Sequence, residues 1–211
     1  MMARANVLNV ITIILVILVP HFAGLPFFSY TIVCAGLIAL NLRLTGRHWP
    51  DIGVTRPTSI PLSFLIGTAS ALLWTAFNQL VYIPFIHHFF EVPEYTEYNF
   101  VQNNLSALLA IILAAWVVGG LYEEIVFRGF IQSSIFRGSK VLAVLITSCL
   151  FGLYHWQQGI FGVIPSMLGG MYWSYITLRA RNLWPAIFSH AVYDTTALTM
   201  IYFEIFGVIR F

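Results

Sequence analysis

Seven stretches of this 211-residue chain are apolar over the length of a membrane span: 6–24, 27–43, 60–86, 104–127, 141–157, 160–178 and 184–206. A helix needs about 20 mostly apolar residues to cross a bilayer. This pattern predicts an all-α, polytopic transmembrane helix bundle of about seven spans. Pro84 predicts a kink in the third span and Pro165 one in the sixth. A break near Glu204 would leave a short interfacial piece and make eight segments.

Composition supports a bilayer environment. The chain is 59% apolar and 9% charged, against about 45–50% and about 25% in soluble domains. A soluble fold of this size must show much of its surface to water and has nowhere to hide so much apolar area. A net charge of +2 with scattered basic residues excludes a nucleic-acid surface. Cys34 and Cys149 lie in apolar runs and read as packed side chains; they form no disulfide framework or zinc knuckle. Arg4 and the apolar run Val7 to Val19 resemble a signal peptide, but no small-x-small cleavage site follows, so the segment reads as a retained first helix.

Charge placement gives an orientation, because cytoplasmic loops collect Lys and Arg. With the N-terminus and Arg4 inside, the inner loops hold Arg43, Arg47 and Arg56, then Arg137 and Lys140 with Arg128 just before them, then Arg179 and Arg181. Only Arg210 falls outside, so this topology explains nine of the ten basic residues. The outer loop from His87 to Asn103 is acidic, with Glu91, Glu94 and Glu97. In the sixth span Gly162, Ser166, Gly170 and Ser174 recur every four residues, a stripe that lets a neighbouring helix approach closely.

Ionisable residues inside a bilayer are costly, and each marks a candidate site. Here they are Glu123, Glu124, Arg128, His155, His190 and Asp194. Glu124 and Arg128 are four apart on a helix and can neutralise each other. Glu123 points about 100° away and needs another partner. His190 and Asp194 also share a face, where the Asp can orient the ring. Helices 104–127 and 141–157 turn near residue 139, midway between Glu123 and His155, which brings these two to one level. A carboxylate and an imidazole there can hold a water, take its proton and protonate a leaving group. His190 lies only about two or three turns into its helix, shallower than His155 by simple counting. The plainer readings are a structural ion pair for Glu124 and Arg128, a packed histidine at 155, and interhelical hydrogen bonding for His190 and Asp194.

Three motifs in order carry a resemblance: Glu123-Glu124-Ile-Val-Phe-Arg128, Phe151-Gly-Leu-Tyr-His155 and His190-Ala-Val-Tyr-Asp194. Over residues 104–200 the chain resembles the CPBP (or ABI) family of intramembrane proteases, the type II CAAX prenyl endopeptidases. The run Leu183-Trp-Pro-Ala-Ile before the last motif fits bacterial members. The resemblance divides the chain into variable N-terminal helices, 1–103, and a catalytic core, 104–211. It implies a helical bundle around a membrane-embedded, water-accessible polar cavity, and hydrolysis of a peptide bond in a peptide or membrane-protein substrate. Glu123 would activate water with His155, Glu124 and Arg128 would support the site, and His190 and Asp194 would stabilise the oxyanion or position the substrate. Eukaryotic relatives trim prenylated CAAX tails; short bacterial ones are associated with peptide maturation, bacteriocin immunity or signalling. The implied location is a bacterial plasma membrane with the N-terminus cytoplasmic.

Two departures leave alternatives open. Position 194 is Asp where the family also has Asn. An ionised Asp cannot donate a hydrogen bond, which favours an orienting role for Asp194 over a direct oxyanion contact. Zinc on Glu123, His155 and His190 and a metal-free glutamate mechanism both fit the residue types, although the motif with two His on one helix turn is absent. Two other classes stand beside a protease. One is a non-catalytic immunity or scaffold protein, in which Glu123 is dispensable. The other is a small proton-coupled transporter, which the lack of an inverted repeat opposes.

Overall fold

The computed structural model describes residues 2–25, 29–57, 59–90, 96–135 and 138–205, and all regular structure among them is helical. Each of the seven apolar stretches contains a helix: α1 (Met2–Phe22), α2 (Ser29–Thr45), α3 (Ile60–Phe77) leading to α4 (Ile83–Phe89), α5 (Leu105–Ala114) leading to α6 (Gln132–Ile135), α7 (Lys140–Tyr154), α8 (Ile160–Ala180) and α9 (Trp184–Tyr202). Side-chain caps set several starts. Ser59, Asn104 and Ser139 each accept a backbone N–H three residues on, from Leu62, Ala107 and Leu142. Arg181, in the left-handed region at φ 53°, ends α8.

Among the described residues, three helices are long and apolar enough to cross a membrane: Ala5–Phe22, Ile60–Phe89 and Leu105–Ile135. Ser29–Thr45 and Lys140–Tyr154 are apolar but shorter. The helices α8 and α9 have spanning length, 21 and 19 residues, and carry more polar and small side chains. The described residues thus hold seven helical stretches, of which three are both long and apolar enough to span. Many apolar side chains face outward, among them Ile32 at 74%, Val141 at 69% and Leu65 at 65% exposure.

Two departures from simple α geometry occur. A wide, π-type turn at Asn78–Tyr82 joins α3 to α4 just before Pro84, so the expected irregularity is present without a break. Wider turns also run through Ala115–Glu123 and Ile125–Ile131, over the first motif. Such turns are uncommon and concentrate at functional sites. The helix α8 continues through Pro165, and α9 ends before Glu204, which adopts a left-handed conformation. Arg137, Arg210, Glu91 and Glu94 lie outside the described residues, as do the side chains of Arg4 and Glu97.

The chain divides into two compact units that exchange at residues 58/59, 121/122 and 183/184. The first unit holds residues 1–58 and 122–183. In it α1 packs on α2, where Asn41 donates to the buried hydroxyl of Thr12 at 3.0 Å. The helices α7 and α8 pack closely because small residues meet. A Cβ on Gly170 would stand 3.0 Å from Cα of Ser148, and one on Gly152 would stand 2.7 Å from the carbonyl oxygen of Val163. The small-residue stripe thus serves helix packing at Gly170, and Ser174 is fully buried, while the atoms nearest a Cβ on Gly162 belong to Gln158 of the preceding turn. Cys34 is buried as expected, but Cys149 is exposed on the outside of α7, where packing leaves it uncovered; both are free thiols. The second unit holds residues 59–121 and 184–211. There α3 and α5 pack on α9, and Val101, Leu108 and Leu198 form a small apolar cluster.

Candidate active site

The first motif lies on the wide turns of the long helix. Glu124 and Arg128 form the expected ion pair, Oε1 to Nη1 at 3.0 Å, with both side chains fully buried. The Arg128 guanidinium also sits 4.2 Å from the centre of the Phe151 ring and 5.3 Å from that of Trp173. A planar, weakly hydrated guanidinium suits such a site, where aromatic faces replace part of its hydration. Phe151, from the second motif, thereby touches Arg128, from the first.

Glu123 is 7% exposed. It is within electrostatic reach of Arg128, Tyr30 and Tyr154. A carboxylate so placed has a compensating cation nearby. Tyr30 meets Tyr122 edge to face at 5.7 Å, and Tyr154 meets Phe127 in the same way at 5.2 Å. The two tyrosines near Glu123 are therefore fixed by aromatic packing.

His155 caps the end of α7 and is partly buried. Its Nδ1 lies 2.9 Å from the carbonyl oxygen of Phe151. A carbonyl only accepts, so Nδ1 carries the proton, and Nε2 is the basic nitrogen of the neutral ring. The ring also packs edge-on against Phe151 at 4.8 Å and Tyr154 at 5.5 Å. Backbone and rings together fix tautomer and orientation.

The third motif lies in the second unit. His190 is buried, and its Nε2 stands 3.7 Å from Oδ2 of Asp194 on the next turn of α9. That is an electrostatic pairing, longer than a hydrogen bond. Gly119 makes it sterically feasible. A Cβ there would collide with Oδ2 of Asp194 and come within 3.9 Å of Nε2 of His190. One turn away, Trp116 donates to Thr195 at 3.0 Å, and Thr195 donates to the carbonyl of Ala191 at 2.8 Å.

Among the described residues no three His, Cys, Asp or Glu side chains group as metal ligands. Reading the sequence missed Tyr30, Tyr154, Trp173 and Gly119. Tyr154 lies inside the second motif, so its neighbour His155 was a signal. Nothing local marks Tyr30 or Trp173, which come from α2 and α8.

Residues 105–196 match the family described as type II CAAX prenyl endopeptidase Rce1-like. The Rce1-like region contains all three motifs, and the resemblance they carry is borne out. A relative in Bacillus subtilis (strain 168), named "Putative membrane peptidase YdiL", is 25% identical over 182 residues, 85% of this chain and 72% of its own. An uncharacterized protein of Mycoplasma capricolum subsp. capricolum is 29% identical over 116 residues, 53% of this chain and 31% of its own. No solved structure matches.

Proposed function

We propose that the chain is an integral membrane endopeptidase that hydrolyses a peptide bond with water activated by Glu123 and His155. The observation that carries this reading is the bond from His155 Nδ1–H to the Phe151 carbonyl, which makes Nε2 the acceptor. The water oxygen attacks the carbonyl carbon as its proton passes to Glu123. Nε2 accepts the water's second hydrogen in a hydrogen bond and orients the attack. The carbon–nitrogen bond then breaks, and the proton held on Glu123 goes to the departing amine. With Nδ1–H committed to a carbonyl, neutral His155 has no proton on Nε2 to give, so the leaving-group proton is assigned to Glu123.

Glu124 supports the site by balancing Arg128. The roles of His190, in stabilising the oxyanion or positioning the substrate, and of Asp194, in orienting His190, rest on the Rce1-like resemblance. Exposed apolar side chains on the helices support residence in a bilayer. The basic loops support a cytoplasmic N-terminus, in a bacterial plasma membrane. The substrate is a peptide or a membrane protein.

The test is digestion of a diverse peptide library by the purified protein and by Glu123→Gln, each with and without a chelator, read by mass spectrometry. Products from the wild type alone support the reading. Equal products from the two proteins indicate a contaminant, and turnover by Glu123→Gln in its own right sinks the mechanism.

A further inference from the structure

A second polar feature lies inside the first unit. It is a pocket of about 340 Å³, lined by Arg47, Arg128, Lys140 and Arg181 among others. That volume is at the small end of ligand-binding pockets. Four cations line it against one carboxylate, Asp51, whose Oδ2 already accepts the backbone N–H of His48 at 2.7 Å. Even when Glu124 is counted against Arg128, two positive charges remain in surplus.

Two of the cations are held in place. Arg47 donates to Ser134 at 3.0 Å and to Ser133 at 2.6 Å. Arg128 is 3% exposed, and its Nε and Nη2 have no hydrogen-bond partner among the described residues. The hydroxyl of Thr177, also on the pocket wall and buried, has none either. Buried donors left unmatched cost free energy, and an anion in the pocket would satisfy both. Arg47 follows α2, Lys140 starts α7 and Arg181 ends α8. These are the loops whose charge marks the cytoplasmic headgroup level.

We propose that this pocket binds a phosphate group, either the headgroup of an anionic phospholipid or free phosphate. Guanidinium groups match phosphate oxygens in geometry and charge. The bound group would join the ends of α2, α7 and α8 and satisfy the outward side of Arg128, whose other side holds Glu124.

The test uses the full-length protein in neutral detergent and native mass spectrometry. Retention of dioleoyl phosphatidylglycerol is compared with that of dioleoyl phosphatidylcholine, and inorganic phosphate is titrated separately. The double variant Lys140→Gln with Arg181→Asn is measured beside Arg56→Gln, which removes an exposed cation that does not line the pocket. Lys140 and Arg181 are both exposed, and Asn tolerates the left-handed backbone at 181, so the double variant keeps its fold. The wild type and Arg56→Gln should retain the anionic lipid about tenfold more than the zwitterionic one, a difference of about 1.4 kcal/mol. The double variant should lose that preference. Competition by inorganic phosphate identifies a site open to free phosphate, and its absence identifies a headgroup site. Equal retention of the two lipids together with no uptake of inorganic phosphate, a preference that survives the double variant, or one lost equally in Arg56→Gln overturns the proposal.

Discussion

The backbone carbonyl of Phe151 accepts a hydrogen bond from Nδ1–H of His155 at 2.9 Å. The ring of the same Phe151 lies 4.2 Å from the Arg128 guanidinium. One residue thus fixes the tautomer of His155 and covers the cation of the neighbouring ion pair. The carbonyl contact belongs to the backbone and survives substitution at 151, whereas the ring contact does not.

That separation is testable. Phe151→Leu should leave His155 with the same tautomer but uncover Arg128. Losing a desolvated cation–π contact costs about 2 kcal/mol. The thermal midpoint in detergent should fall clearly, with kcat in the surviving folded fraction within a few-fold of wild type. An unchanged midpoint would mean that the ring does not support Arg128.

At position 155, Asn can still donate to the Phe151 carbonyl but has no counterpart to Nε2. His155→Asn should keep the fold and lower kcat by about 10²-fold, the usual cost of misplacing a reacting group. Activity near that of the wild type would remove His155 from the chemistry.

The two adjacent glutamates should separate. Glu123→Gln should abolish cleavage and leave the thermal midpoint near that of the wild type. Glu124→Gln leaves Arg128 buried without its counter-charge, at a cost of about 3–5 kcal/mol. It should therefore lower folded yield as well as activity. The same phenotype from both variants would contradict the division of roles.

Gly119 has room for Asp194 only because it lacks a Cβ. Gly119→Ala should displace the Asp194 carboxylate from His190 and lower kcat/KM at least tenfold with little loss of stability, since the clash falls on a flexible side chain. Asp194→Asn in the same assay reports on charge at 194 without the clash. If Gly119→Ala cleaves normally, the pairing of His190 with Asp194 is not needed.

Gly152 makes the converse case. A Cβ there meets backbone, the Val163 carbonyl oxygen at 2.7 Å, and backbone cannot swing aside. Gly152→Ala should destabilise the α7–α8 pair by about 1–3 kcal/mol, the usual cost of overpacking. Thermal unfolding reads this directly, and an unaltered midpoint would show that the helices can separate without penalty.

Much of this was legible before any coordinates. Hydropathy located seven helical stretches because a helix that faces lipid must be apolar over its whole length, and the helix ends differ mainly by a few residues at the caps. The Glu124–Arg128 pair was legible because a spacing of four survives in the folded helix. The wide turns over 115–131 were not. They depend on which carbonyl each N–H selects, and the apolar pattern does not encode that choice. Trp173 and Tyr30 were hidden for another reason: they reach their partners from helices distant in sequence. The exposure of Cys149 shows the limit of an apolar run, which gives depth in the membrane but not which side of the helix faces a neighbour.

The buried pair also bears on how the helix from Leu105 to Ile135 enters a bilayer. A lone charge at a helix centre raises the insertion cost by about 2.5–3.5 kcal/mol. Because Glu124 and Arg128 are bonded within one helix, that helix can leave the translocon with these two charges already cancelled. Glu123 meets Tyr30 and Tyr154 only when α2 and α7 pack beside it. The group assigned to the chemistry thus completes its surroundings through helices distant in sequence.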